Sequence, residues 1–375
     1  MSSSSLSTPH QNILADSDKS ALICLSQVPG LGPQRIQQLV QVFEAPSIAW
    51  QSDSSAWQEH HLSLKLYAKM EKFRNTFELT NYLAFVDSHQ QTIITNRDTN
   101  YPQVLIHQVG APPILYCKVT ETLHANPDYS LSVVGTRKIT AYGQTAMHRL
   151  LPEVINQGVA IISGLMYGVD EAAHRIALKH NGLTIGVWAG GLDTLEIGSR
   201  QPLAQAILDS GGVLISEYPP GFKPSPQTFP ARNRIVAGLS QATLAVEGTE
   251  KSGTLITAGY AAELGKEVLA IPGSITSPQS ATPHLLIKNG ATLVQDSSDI
   301  FVALGLNTTS HLTTLDLTSL SEIQQQIITT LQTQPQSTDQ LVTSVNLPIS
   351  QLSLELTSLE LQSLIIKVGE TWQIQ

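Results

Sequence analysis

Seven short apolar runs recur at 131–135, 159–163, 184–187, 213–217, 242–247, 268–272 and 291–294. Between them lie amphipathic stretches such as 170–180 and 252–264, with apolar residues at helical spacing. Strands without a polar face must be buried on both sides, so the alternation dictates a mostly parallel sheet with helices on each face. The pattern predicts a doubly wound, mostly parallel α/β domain over residues 97–305. A proline-punctuated lead-in, with Tyr101-Pro102 and Ala111-Pro112-Pro113-Ile114-Leu115-Tyr116, precedes its first run.

The flanks read differently. Residues 1–18 begin Met1-Ser2-Ser3-Ser4-Ser5, a polar start without the basic and apolar regions of a secretory signal, and are expected to form a flexible tail. Over 19–86 the pattern is helical, and Val28-Pro29-Gly30-Leu31-Gly32 joins two short helices in the manner of a helix-hairpin-helix. Turn glycines of this kind let backbone N–H groups approach a phosphate. Arg35 is the one cation near in sequence, so a helical region that only packs is the alternative. Residues 306–318, rich in Thr and Ser, read as a linker, and 319–375 as three helices and a β-wing, the outline of a winged helix.

Charge narrows the partners. The net charge of −9 excludes a broadly basic surface, yet residues 131–240 carry nine Lys and Arg against seven Asp and Glu. A local cationic groove is therefore compatible with an acidic chain. Cys24 and Cys117 form no CxxC pair, and the histidines form no HExxH, so neither a disulfide framework, a metal site nor a cofactor is expected, and a reducing cytoplasm fits. No run is long and apolar enough to span a membrane.

In open parallel sheets ligands sit beyond the carboxyl ends of the strands, and polar or glycine-rich loops follow the runs here. Gly135, Thr136, Arg137 and Lys138 follow the first, where an arginine fork and N–H groups before a helix near Thr140 suit an anion. Ser163 and Gly164 end the second run. Asp170 beyond them reads as a helix N-cap, or, with His174 one turn on, as an acid–base pair. Lys223 leads into Phe229, Arg232, Asn233 and Arg234, an aromatic face and two guanidiniums within six residues, a mixture suited to bases and phosphates. Ser252, Gly253 and Thr254 open a further helix and either cap it or bind an anion. There is no P-loop, no GxGxxG after the first strand and no GxSxG elbow, so the loops describe a binding cleft without a catalytic engine.

Taken together, the stretches Val134-Gly135-Thr136-Arg137, Ser163-Gly164-Leu165, Gly168-Val169-Asp170, Gly191-Leu192-Asp193, Ser216-Glu217-Tyr218-Pro219-Pro220-Gly221, Phe229-Pro230-x-Arg232-Asn233-Arg234 and Ser252-Gly253-Thr254 resemble the DNA-processing protein A (DprA/Smf) family. The resemblance implies an extended Rossmann-like domain in a cytoplasmic, non-enzymatic homodimer. Such a protein protects incoming single-stranded DNA and loads RecA recombinase in natural transformation, with single-strand binding protein as a further partner. Carried over by position, Arg137 and Lys223 would hold phosphates and Phe229 would stack on a base. Met166 and the stretch 194–200 depart from the family pattern. The alternative is a nucleotide-processing phosphoribohydrolase on a related fold, but Leu255-Ile256-Thr257 follows Gly253-Thr254 where that class needs a glutamate.

The C-terminal segment 316–375 holds six acidic side chains and one cation, Lys367, and its presumptive recognition helix has neither Lys nor Arg. Placing that helix in a major groove would set Glu355 or Glu360 against phosphates. The segment is expected to meet a protein surface rather than a duplex.

Overall fold

The computed structural model describes residues 13–106, 108–120, 126–306, 320–362, 364–368 and 371–374. The chain divides into two compact units, Met1–Asn307 and Thr308–Gln375. The expected tail up to residue 12 and most of the expected linker lie outside the described residues.

The first unit is built on a nine-stranded sheet of order β1-β2-β6-β5-β4-β3-β7-β8-β9. The seven apolar runs become β3 (Ser130–Val134), β4 (Ala160–Gly164), β5 (Thr184–Trp188), β6 (Val213–Ser216), β7 (Ala242–Ala245), β8 (Glu267–Ala270) and β9 (Thr292–Leu293), all parallel to their neighbours within this series. Two further strands, β1 (Thr92–Thr95) ahead of the lead-in and β2 (Ile114–Lys118) within it, extend the β6 edge antiparallel. The sheet therefore begins at Thr92, ahead of residue 97, because Ile93 and Ile94 are short apolar neighbours with no helical period.

Period-two alternation sends successive side chains to opposite faces. Leu131, Val133 and Ile161 enter one core with helices Ala141–Asn156 and Val169–Lys179, while Val134 and Ile162 enter another with helix Thr228–Leu239. Strand hydroxyls fasten that last helix to the sheet: Ser132 Oγ donates to Val236 O at 2.6 Å and Ser130 Oγ to Leu239 O at 3.2 Å. Buried hydroxyls need such partners.

The N-terminal region is helical as expected, with helices from Ser17–Gln27 to Leu79–Ser88. It shares one core with the sheet, since Leu22, Leu25 and Trp57 cluster with Ile93, Ile114 and Leu214. Gln27 Nε2 donates to Tyr116 Oη at 3.0 Å, and Tyr82 also hydrogen-bonds that phenol. The second unit is a winged helix: Glu322–Thr333, Thr338–Val345 and Ile349–Leu361, then β11 (Ile365–Val368) and β12 (Thr371–Ile374), closed by short β10 (Gln336–Ser337). Ile328, Leu341, Leu352, Leu356 and Trp372 form its own core.

Candidate nucleic-acid interface

Chain order runs outward from β3 through β4, β5 and β6, then restarts on the other side with β7. The reversal opens a crevice at the carboxyl ends of β3 and β7, the place where doubly wound sheets bind ligands. A cavity of about 490 Å³ lies there, walled by Gly135–Arg137, Gly164, Met166, Phe229, Arg232, Asn233 and Ser252–Thr254. Ten of the fourteen sequence-predicted residues thus meet in one place, although the chain separates them by more than a hundred positions.

At the mouth, the Arg137 guanidinium stands over the Phe229 ring with its carbon 5.7 Å from the centroid. Trp188 packs against the same ring in a T-shaped arrangement, with centroids 6.1 Å apart. The pair presents a cation and a π-face together, with Arg137 exposed to solvent.

The floor is charged and buried. Arg232, 3% exposed, donates to the carbonyl of Val187 and faces the carboxylate of Asp170, 8% exposed. Burial pushes the Asp170 carboxyl above the usual carboxylate range, against the pull of Arg232, and lowers the affinity of the Arg232 guanidinium for its proton. Arg232 is thus a structural charge that reaches the cavity rather than an exposed phosphate clamp.

Asp170 is not the N-cap anticipated from its position. Gly168 holds that place with φ +82°, and a Cβ there would overlap Thr136 O. The helix starts earlier than expected because only glycine fits this approach, which leaves Asp170 in the first turn and inside. Nor does His174 pair with it. Its Nε2–H donates to Gly164 O at 2.8 Å, leaving Nδ1, 2.7 Å from Thr184 Oγ1, as acceptor. Burial lowers its pKa to about 4, so it stays neutral.

The helix after β3 also differs from the anion site read in the sequence. Glu247, from the end of β7, occupies its N-terminus, accepting from Thr140 N at 2.9 Å and Thr140 Oγ1 at 2.6 Å. The helix dipole is satisfied internally, and Arg137 is left as the cation of that loop that lines the cavity. At the other helix, Ser252 Oγ accepts from Thr254 N at 3.2 Å, the capping alternative, while Ser252, Gly253 and Thr254 still line the cavity.

The remaining four residues lie elsewhere. Ser163 is buried and donates to Val133 O at 2.6 Å. Arg234 turns to the opposite side of its helix, where it pairs with Glu217 in a second cleft. Lys138 is exposed beside the cavity, its N–H on Thr136 Oγ1 at 3.1 Å. Lys223 is exposed on a loop held by Gly191 N to Phe222 O at 2.8 Å and Gly221 N to Asp193 at 3.0 Å. Of the departing stretch, Met166 lines the cavity, and Arg200 lies over Tyr167 at 3.5 Å and binds Glu171 at 2.9 Å.

An open, doubly wound sheet with an aromatic–cation pair at its switch-point crevice, followed by a winged helix, defines a Rossmann-like protein with a candidate ligand-binding crevice. The chain belongs to the DNA recombination-mediator protein A (DprA/Smf) family: the model so described matches residues 92–305, and a DprA winged helix domain matches 313–368. Protein Smf of Synechocystis is 34% identical over 78% of this chain and 74% of its own length, and DNA processing protein DprA of Bacillus subtilis is 40% identical over 54% and 68%. The crystal structure of DNA processing protein A from Streptococcus pneumoniae aligns with a TM-score of 0.66 and 29% identity, covering 76% of this chain and 97% of that one. A solved DNA processing protein A from Helicobacter pylori, described for its single-stranded DNA binding mode, aligns with a TM-score of 0.50 and 26% identity over 57% of this chain and 95% of that one.

Among the described residues no helix is long and apolar enough to cross a membrane, and no group of three or more His, Cys, Asp or Glu is arranged to hold a metal.

Proposed function

We propose that this protein binds single-stranded DNA across the mouth of the switch-point cavity and passes the strand to a RecA recombinase during recombination of incoming DNA. It acts as a cytoplasmic homodimer and without catalysing a reaction. The Arg137–Phe229 pair carries the reading: a ring packed T-shaped against Trp188 is a preorganised stacking face, and the guanidinium above it meets the phosphate beside a stacked base. A duplex keeps its bases inside, so this mouth favours an unpaired strand. The relative from Helicobacter pylori, with its single-stranded DNA binding mode, supports the same ligand.

Fluorescence anisotropy with single- and double-stranded oligonucleotides over a salt series tests the binding, and displacement of single-strand binding protein by RecA in its presence tests the transfer. Tighter binding of the single strand, with affinity falling as salt rises, is expected. Equal affinity for both forms, or release of free base from nucleotides, would overturn the reading.

A further inference from the structure

A second cleft, of about 1160 Å³, opens between the helix-hairpin-helix turn around Gly30 and a wall containing Tyr218 and Phe222. It shares helix Thr228–Leu239 with the first cavity: Asn233 faces the cavity and the adjacent Arg234 faces the cleft. The loop before that helix behaves likewise, with Phe222 in the cleft, Pro226 in the cavity and exposed Lys223 between them. The cavity and the cleft therefore adjoin across one helix and one loop.

We propose that the cleft and the hairpin above it hold the continuation of the same DNA strand, bases against the cleft wall and phosphates along the hairpin rim; this rests on single-strand binding at the first cavity. The wall is mainly apolar, and Tyr218 and Phe222 stack with centroids 4.5 Å apart and planes at 19°, leaving a π-face on the cleft. Two carboxylates line it, Glu217 and Glu263, and Glu217 is neutralised by Arg234.

The rim is cationic only because of the fold. In sequence Arg35 stands alone, and in the structure it donates to Gly30 O at 2.7 Å and fixes the turn. Helix Leu64–Arg74 brings Lys69 alongside, its Nζ 3.8 Å from where a Cβ on Gly30 would be. Lys65 and Lys72, four residues before and three after, occupy the same exposed helical face. Glu71 on that helix is engaged by the Tyr67 hydroxyl at 3.1 Å. The hairpin is tied to the opposite wall by Gly110 N to Gln37 Oε1 at 3.2 Å, which sets the cleft's width. A row of ammonium groups beside an aromatic-walled groove is the combination by which single strands are bound without sequence preference.

The test uses the full chain and the triple variant K65Q/K69Q/K72Q, whose substitutions are all exposed, with labelled oligothymidylates of about 6 and about 30 nucleotides. The short strand, filling the first cavity, is expected to bind both proteins alike. On the long strand the variant should bind about tenfold more weakly or worse, with a salt slope smaller by about 2. Equal loss on both lengths, or no loss on either, overturns the proposal. Wild-type affinity that does not rise with length also overturns it while leaving the first cavity standing. A wild-type protein that binds no single strand removes both.

Discussion

The guanidinium of Arg232 and the carboxylate of Asp170 converge on Gly164, at the carboxyl end of β4, so closely that a Cβ on that residue would overlap both. The absence of one methyl group lets two buried groups of opposite charge reach the floor of the cavity. The consequences separate the roles of the floor and the mouth.

Gly164→Ala inserts a carbon where a rigid charged pair already stands. Overpacking of this kind costs about 1–3 kcal/mol, and a lower midpoint of chemical unfolding is expected. An unchanged midpoint would show that the pair can move aside.

Arg232→Met removes the positive charge that faces buried Asp170, and a lower midpoint of chemical unfolding is expected because burial already disfavours that carboxylate. Adding Asp170→Leu removes the stranded carboxylate and should restore most of the stability. If the double variant is no more stable than the single one, the two residues are not coupled.

His174 gives the fold an acid limit. Its pKa falls from 6.5 to about 4 on burial, so its contribution is complete above about pH 6.5 and is lost as pH drops through about 4. The shift corresponds to about 3 kcal/mol. Asp170, raised by burial, moves in the opposite sense, so His174→Gln is the comparison that isolates the histidine. Unfolding free energy between pH 7 and 4 should fall more steeply in the wild type than in that variant.

At the mouth, by contrast, Arg137 is exposed and Phe229 only half-buried. Arg137→Ala should weaken single-strand binding and lower the salt slope by about 0.7, with circular dichroism unchanged because the side chain is exposed. Phe229→Ala should cost about 1–3 kcal/mol of affinity with little change in slope. Reversal of these two signatures would exchange the assigned roles.

The winged helix should contribute little to this binding. Helix Ile349–Leu361 carries no cation, Glu355 accepts from Gln324 Nε2 at 2.8 Å, and Lys367 lies over the Trp372 ring at 5.6 Å. A chain ending at residue 307 is expected to keep single-strand affinity within about twofold at ordinary salt. A larger loss would place DNA on the second unit.

Much of this was legible in the sequence because it is local. Continuous apolar runs and helical spacing set the seven parallel strands and the covering helices, and glycine-rich or polar ends marked the crevice, since side-chain direction follows from backbone geometry alone. The antiparallel strands β1 and β2 were less visible, being short and separated by a stretch that holds Pro102, Pro112 and Pro113. Asp170 read in the sequence as an N-cap; its place inside, facing the buried Arg232, came with the approach of Gly168 to Thr136 O.

What the chain alone determined is the order of strands and helices, the local surplus of cations and the residue types gathered at the carboxyl ends. Only the tertiary structure decided which of them face one space. It put Arg137 over Phe229, turned Arg234 to the far side of its helix, closed one helix N-terminus with Glu247 and brought Lys69 to the hairpin turn. Spacing along a chain fixes the direction of a side chain from its own element, whereas its partner is set by how that element packs against others far away in sequence.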